Sequence, residues 1–500
     1  MKSFPANLKL GRLRPRTGRT ETFVAFLLAT LATHSPSLLA QCQGQVASIA
    51  TAASCTASST PLAAEAKIDA AHPYRLEELI DLAERNNPQT RIAWESAKQA
   101  ADRLGIARSA YYPHLAALAL FGDQRLINPF PKPLAPRGYV MVEIPIVEEE
   151  LGLEYNVFDF GRRGAKLESS KALRLAAVAA FQRTNQDVAF RVVTGYYNLL
   201  TAQERLAATR QIVKTAETTQ QAAEAQLANG RATLPDLLNA KAATAQAAYD
   251  LEASVGAEAE ARVALREALG VEPSDEIVVA APEAAPLPAE IASSAEKLVE
   301  QAQQNRPDLK DLFERLHAAN AEVGAAHAEN RPSLHLEASG GQSMIWPNAS
   351  NLGAADQSIW NVGLKFQWSL FDGGQRKNEV RLADSKRREA QEALREKQDQ
   401  VTHEVWSAYL QFRTAVRQQE AAETLLTSAQ TSYDASLDAY KYGVKNLVDL
   451  VAAETQLAQA RLARVQSRSN VQVGAVNLDY RTGNLLRQSA PLAQTSPVRP

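Results

Sequence analysis

The chain has 500 residues, with 54 Lys and Arg set against 56 Asp and Glu, for a formal charge of -2. So even a balance gives no global field for nucleic acid. The two cysteines and seven scattered histidines lack metal-ligand spacing. With no glycine-rich phosphate loop and no Ser/His/Asp arrangement in a recognisable context, nothing points to an enzyme, a cofactor or a bound metal.

At the N-terminus, Lys2, Lys9, Arg12, Arg14, Arg16 and Arg19 precede an apolar stretch from Phe23 to Leu31, with small residues through Ala40. Residues 1–40 therefore read as a secretory signal peptide. The apolar stretch is too short to span a bilayer, and no later segment reaches the ~20 apolar residues a membrane helix needs. Residues 41–71, rich in Ala, Ser, Thr and Gln, read as a flexible leader. Cys42 and Cys55 fall inside it. Lipid anchorage at either, a disulfide between them, or no role at all are open alternatives. Gln41 is bulkier than the residue an anchor site wants, while Ser54 suits one better and Ala52 fits it poorly.

From residue 72 the chain is written twice. Val157-Phe158-Asp159-Phe160-Gly161 returns as Leu370-Phe371-Asp372-Gly373-Gly374, a step of 213 that also carries Tyr196 to Tyr409, Gly230 to Gly443, Asp236 to Asp449 and Gly270 to Gly483. Upstream, Pro88 pairs with Pro307 and Pro113 with Pro332 at a step of 219, so the register slips by six residues between Pro113 and Val157. The reading is a first repeat at 72–271, a linker at 272–293, a second repeat at 294–483 and a tail at 484–500. Repetition that preserves length implies a structure of fixed reach.

Each copy opens with a helical region, Tyr74–Tyr112 or Ser294–Asn330, interrupted at Asn87-Pro88 or Arg306-Pro307. Between Gly161 and Gly230, and between Gly374 and Gly443, there is no proline. Val192, Tyr196 and Leu199, and Val405, Tyr409, Phe412 and Val416, recur at coiled-coil spacing. One rod of about 68 residues would extend about 100 Å at 1.5 Å per residue. His403 reads as a surface or seam residue of the second rod. Gly230 and Gly443 then suit helix C-caps, and new helices start at Thr233 and Asn446 with Asp236 and Asp449 in their first turns. Each copy is thus a long helical hairpin, its tip turn at 229–236 or 442–449.

Strands lie between the helical arms, at about 114–122 and 149–158 and at 333–341 and 359–370. Trp360, Val362, Leu364, Phe366, Trp368 and Leu370 alternate with Asn361, Gly363, Lys365, Gln367 and Ser369, making one apolar and one wet face. Pro145 and the Asn128–Arg137 stretch predict an irregular loop, and Glu148-Glu149-Glu150 reads as a solvated cluster near a strand end at a barrel rim. A soluble sandwich is the alternative for these strands, but the helices' apolar residues are committed to a seam, and the reading favoured is that the strand face meets lipid. Four strands cannot close a membrane barrel, which starts at about eight, so several chains must pool theirs. The class is mainly α with a membrane β-barrel. The competing reading is a periplasmic coiled-coil adaptor or scaffold.

The duplicated helix–strand–strand–helix unit, the Leu370–Gly374 junction and the Tyr442-Gly443-Val444-Lys445-Asn446-Leu447-Val448-Asp449 turn together resemble the TolC family of outer-membrane efflux and secretion channels, over about Tyr74 to Gly483. The resemblance implies a homotrimer in the outer membrane whose strands close a twelve-stranded barrel. Its hairpins would form a tapering periplasmic tunnel, an α-barrel shut at its tip until a periplasmic adaptor and an inner-membrane pump, of the resistance-nodulation-division or ATP-driven class, engage it. The resemblance implies no catalysis and no cofactor. It also maps gate residues onto Asp236, Tyr440 and Lys445. The lysine stands where relatives carry an arginine, and it lacks a two-pronged guanidinium. Asp449 matches one acidic ring, Ala452 stands where a second would be, and Gly230-Arg231 and Gly443-Val444 match adaptor docking points. From the residues alone, Asp236 and Asp449 serve equally as helix-start caps and Tyr440 as a seam residue.

Overall fold

The computed structural model describes residues 72–486 except 130, 134, 274–276, 281–293 and 348–352. The signal peptide, the leader with Cys42 and Cys55, most of the linker and most of the tail lie outside the described residues. The duplication is exact in helix length. In the first copy α1 spans Leu76–Asn86, α2 Pro88–Ser109, α3 Arg162–Ala228 and α4 Leu234–Leu269. In the second, α5 spans Ala295–Asn305, α6 Pro307–Ala328, α7 Gln375–Lys441 and α8 Leu447–Thr482. Corresponding helices have 11, 22, 67 and 36 residues in both copies.

The breaks fall at the expected prolines, whose rings exclude the preceding residue from helix. Asn87 caps α2 by accepting from the Gln89 amide at 2.9 Å. The expected seam packs inward. Val188, Val192, Tyr196 and Leu199 of α3 are buried against Leu79 and Ala83 of α1 and Leu265 and Leu269 of α4. The second copy repeats this with Val401 and Val405 of α7, Leu298 and Ala302 of α5 and Leu478 of α8. At 1.5 Å per residue each 67-residue rod is about 100 Å long. No described helix is long and apolar enough to cross a membrane.

The start of the linker is ordered. Strand β4, Val278–Val279, pairs in parallel with β1, Pro73–Tyr74. Ile277 is buried in the first-copy core, and the Tyr196 hydroxyl donates to the Ala280 carbonyl at 2.8 Å. The main sheet joins the copies in the order β2 (His114–Pro129), β3 (Tyr139–Phe158), β5 (Ser333–Ile345), β6 (Ala355–Gln367), antiparallel throughout.

Three strand expectations need correction. First, β2 and β3 have 16 and 20 residues against 13 in each second-copy strand. The six inserted residues therefore extend a hairpin rather than a loop. Asn128 and Pro129 lie in β2, and Pro145 lies within β3 because β5 ends opposite Ile146. There β3 becomes an edge, where a residue without an N–H is tolerated. Second, β6 ends at Gln367, short of Leu370. Third, Glu148-Glu149-Glu150 lies inside β3, not at its end.

Register sorts the faces. Leu115, Leu153, Ala338 and Val362 form one row, and Ala117, Leu151, Gly340 and Trp360 another. The opposite face carries His114, Glu154 and Glu337 in register, with the Lys365 ammonium 3.0 Å from Glu337. Glu148 and Glu150 fall on that polar face, while Glu149 shares a polar row with Gln342 and Ser358 on the apolar one. Trp360, Val362, Leu364 and Phe366 are exposed. In this sheet β2 and β6 each pair on one side only.

Candidate functional site

The two strand-to-helix junctions are built alike. The Asp159 carboxylate accepts from the amides of Gly161 (3.2 Å) and Arg163 (3.0 Å), and Asp372 from those of Gly374 (3.0 Å) and Arg376 (3.3 Å). Each thus holds donors that a helix start leaves open. The arginine four residues on returns to its aspartate, with Arg163 Nε 3.1 Å from Asp159, and Arg376 does the same with Asp372. Arg163 also donates to the carbonyls of Ala110 and Val157 at 3.3 Å each, tying both ends of the hairpin to the rod. The Asp-to-Arg spacing is present in both repeats and could have been read from them. The motif aligns each rod with its strands.

At the other end, about 100 Å along the rods, the tips repeat one turn. Gly230 and Gly443 adopt φ of 68° and 76°. The Arg231 amide donates to Gln226 O and the Val444 amide to Ala439 O, both at 2.8 Å. This is the six-to-one closure of a helix C-terminus. Arg231 and Val444 project outward with exposed side chains. At the next helix start the copies part. Asp236 accepts from the Thr233 amide at 2.9 Å and its hydroxyl at 2.7 Å, a reciprocal capping box. The Thr233 hydroxyl and amide together hold its carboxyl below the usual carboxylate range. In the second copy, Asn446 caps the Asp449 amide at 2.8 Å, and Asp449 is exposed. Its carboxylate makes no hydrogen bond or ion pair among the described residues.

Within one chain the three residues expected at the gate, Asp236, Tyr440 and Lys445, are not joined to one another among the described residues. Asp236 is engaged by Thr233, and Lys445 Nζ donates to Ser436 Oγ at 3.1 Å. Tyr440 is buried, yet its hydroxyl finds no partner among the described residues. Burial, and then the nearby Asp236 charge, raise its phenol above the ordinary value.

Sequence reading missed two features here. The Gln226 amide of α3 donates to the carbonyls of Tyr440 (3.3 Å) and Lys441 (2.7 Å), strapping the first hairpin to the tip of the second. Its counterpart in the second copy is Ala439, so the strap exists once per chain. Farther up the same interface, Glu454 is buried, and that burial raises its carboxyl. Nearby, the hydroxyls of Thr219 and Tyr433 are 3.3 Å apart. Lone polar residues in a Gln- and Ala-rich helix leave no pattern to read.

Four strands with one apolar face, continuous with two helical hairpins of periplasmic reach, define a stave of an outer-membrane channel. The family model for outer membrane efflux proteins matches residues 79–271 and 298–484, and the chain belongs to that family. It is similar to Protein CyaE of Bordetella pertussis, at 29% identity over 82% of this chain and 84% of that one. Outer membrane protein OprJ of Pseudomonas aeruginosa is 26% identical over 81% and 82% of the two chains, and TolC of Escherichia coli 24% over 83% of each. Among solved structures, a membrane protein from Pseudomonas aeruginosa superimposes with a TM-score of 0.72 at 26% identity, over 82% of this chain and 93% of that one. The CusC structure shares the fold, with a TM-score of 0.69 at 21% identity over 82% and 92%. The chain is accordingly an outer-membrane efflux channel with a long periplasmic extension. The adaptor or scaffold alternative is not supported.

Proposed function

We propose that three copies close a twelve-stranded barrel, and that their hairpins form a tunnel gated at the tips and opened by a periplasmic adaptor and an inner-membrane pump. The observation that carries this reading is the sheet. Its apolar face is exposed, and its edge strands β2 and β6 each have one unpaired side. Lipid cannot satisfy such edges, so the strands must meet those of other chains. Since β2 and β6 run in opposite directions, chain after chain joins antiparallel, which keeps the strand count even.

The gate combines an intrachain strap, Gln226, with contacts between tips drawn from Asp236, Tyr440 and Lys445. Contacts of this kind, each worth about 1 kcal/mol near water, hold a closed state that an adaptor can release. Asp449, exposed and without a partner among the described residues, would give one carboxylate ring and a modest preference for cations. The outward Arg231 and Val444 beside Gly230 and Gly443 offer the adaptor its tip contacts. The exported substrate belongs to the pump.

In planar bilayers, Asp236→Ala, Lys445→Ala and Gln226→Ala should each raise single-channel conductance, while Asp449→Asn should lower cation preference without opening the tip. Unchanged conductance in all three alanine variants would remove these residues from the gate.

A further inference from the structure

At the helical end of the sheet, the apolar face finishes in aromatic rings and one arginine. A bulge between Asn156 and Phe158 sets Phe158 opposite Leu334, whose other partner is Phe366, so Phe158 belongs to the apolar face. It is half-exposed. The Phe160 ring meets it edge-on, with centroids 4.7 Å apart. The Arg331 guanidinium carbon lies 5.7 Å from the Phe160 centroid. Beside Arg331, the half-exposed Trp368 donates its indole N–H to the Asn330 carbonyl at 3.3 Å.

Two observations mark this group out. Phe160 is the one non-glycine residue with positive φ, 53°, among the described residues. The turn needs that conformation in both copies, and the second copy meets the need with Gly373 at 66°. A bulky residue there is strained. Strain accepted in one copy and avoided in the other points to a role for the ring itself.

The second observation is charge. Arg331 is exposed and forms no ion pair or side-chain hydrogen bond among the described residues. The nearest acid along the chain, Glu329, lies 3.7 Å from Lys166. A guanidinium seated by an aromatic ring with its N–H groups open matches the oxygens of a phosphate.

We propose that Arg331, with Phe158, Phe160 and Trp368, forms a headgroup site for an anionic phospholipid of the periplasmic leaflet. The guanidinium takes the phosphate, and the rings sit at the boundary between headgroups and acyl chains. Depth fits this assignment. Arg331 stands two residues before β5, where the sheet gives way to the periplasmic helices, and such rims are where basic side chains meet anionic lipid. Position fits as well. β3 and β5 are the inner strands of the sheet, so pairing at β2 and β6 leaves this group facing lipid. The counterpart positions, Tyr112 and Gly373, offer no cation and no ring at the strained residue, so the site occurs once per chain. The inference rests on reading the apolar face as a lipid face, and it adds which lipid that face selects.

The test mixes the detergent-purified full chain with phosphatidylglycerol or phosphatidylcholine of the same acyl chains. Bound lipid is then counted by mass spectrometry after gel filtration. Wild type should retain several-fold more phosphatidylglycerol, whose phosphate charge no headgroup ammonium offsets. Arg331→Gln should abolish that preference, and Arg331→Lys should keep part of it. Phe160→Gly should cut retention without lowering the thermal midpoint, since glycine accepts the left-handed turn. Equal retention of both lipids by wild type, or a preference unchanged in Arg331→Gln, overturns the site. Displacement of the bound lipid by excess inorganic phosphate would assign Arg331 to free phosphate and overturn the lipid assignment. Retention of neither lipid overturns the lipid-face reading itself.

Discussion

Gly270→Ala should lower the denaturation midpoint more than Gly483→Ala, and both more than Gly443→Ala. All three glycines have positive φ, of 72°, 76° and 76°, so each alanine carries the left-handed cost of roughly 1–2 kcal/mol. What separates them is the neighbourhood. A Cβ on Gly270 would lie 2.8 Å from Asn87 Cα and 3.1 Å from its amide nitrogen, both backbone atoms. On Gly483 the nearest atom is the Arg306 amide nitrogen at 3.2 Å, and on Gly443 there is nothing within 4 Å. Backbone cannot step aside as a side chain does, so overpacking adds roughly 1–3 kcal/mol at Gly270. The close approach has a purpose. The end of α4 is pinned to the α1–α2 break by the Asn87 side chain, whose Nδ2 donates to the Ala268 carbonyl at 3.0 Å. In the second copy, Arg306 does the same to the Arg481 carbonyl at 3.2 Å. Circular dichroism melts of the four proteins, wild type included, give the ranking directly. Equal midpoints for Gly270→Ala and Gly443→Ala would refute the clash.

Arg306→Met should destabilise by about 3 kcal/mol, because it strands two partly buried carboxylates. Arg306 is 1% exposed and binds Asp308 at 2.6 Å and Glu404 at 2.7 Å. Arg183 and Lys397 also approach Asp308, at 3.6 and 3.3 Å, and Arg481 lies 3.0 Å from Glu404. These remaining cations keep the loss at the lower end of the range for a broken buried pair. The first copy solves the same problem nearly without charge: Asn87, Gln89 and Arg191 occupy the equivalent places, with Arg191 donating to Gln89. Transplanting that solution, as Arg306→Asn with Asp308→Gln and Glu404→Arg, should recover most of the loss.

The pH dependence separates the two designs. Burial alone would raise the Asp308 carboxyl, but the bond and charge of Arg306, with Arg183 and Lys397, outweigh it and hold it down to about 2. A carboxyl lowered in the folded state contributes stability that is complete above its unfolded value of 3.8. That contribution disappears as pH falls from about 4 through 2, and it amounts to about 2 kcal/mol. The triple variant should lack this acid-side loss. A wild-type midpoint that does not fall faster than the variant's between pH 4 and pH 2 would show that the ionic cluster contributes nothing.

Length was the most legible property of the chain. Helix ends at Gly230, Gly270, Gly443 and Gly483 could be placed because a left-handed residue after a long proline-free run has one economical reading. The strand faces were equally plain in β6, whose alternation is unbroken. The first-copy hairpin differs from expectation at Asn128, Pro129 and Pro145, loop residues by propensity, and only the register of β5 shows that β3 has outrun its neighbour there. At the tips, the capping roles of Thr233 and Asn446 were visible, but the different fates of Asp236 and Asp449 were not. Both sit three residues after a cap, and only the Thr233 side chain turns a capping preference into a bonded carboxylate. Arg306 was invisible as a core residue because an arginine before a proline carries no sign of the Glu404 that meets it from 98 positions away.

A closed barrel requires several chains to pool their strands. Native mass measurement of the protein extracted from outer membranes in detergent tests that most directly. Three copies per particle, and hence twelve strands, is the predicted result. A stable single chain in those membranes, with β2 and β6 unpaired in lipid, would contradict it.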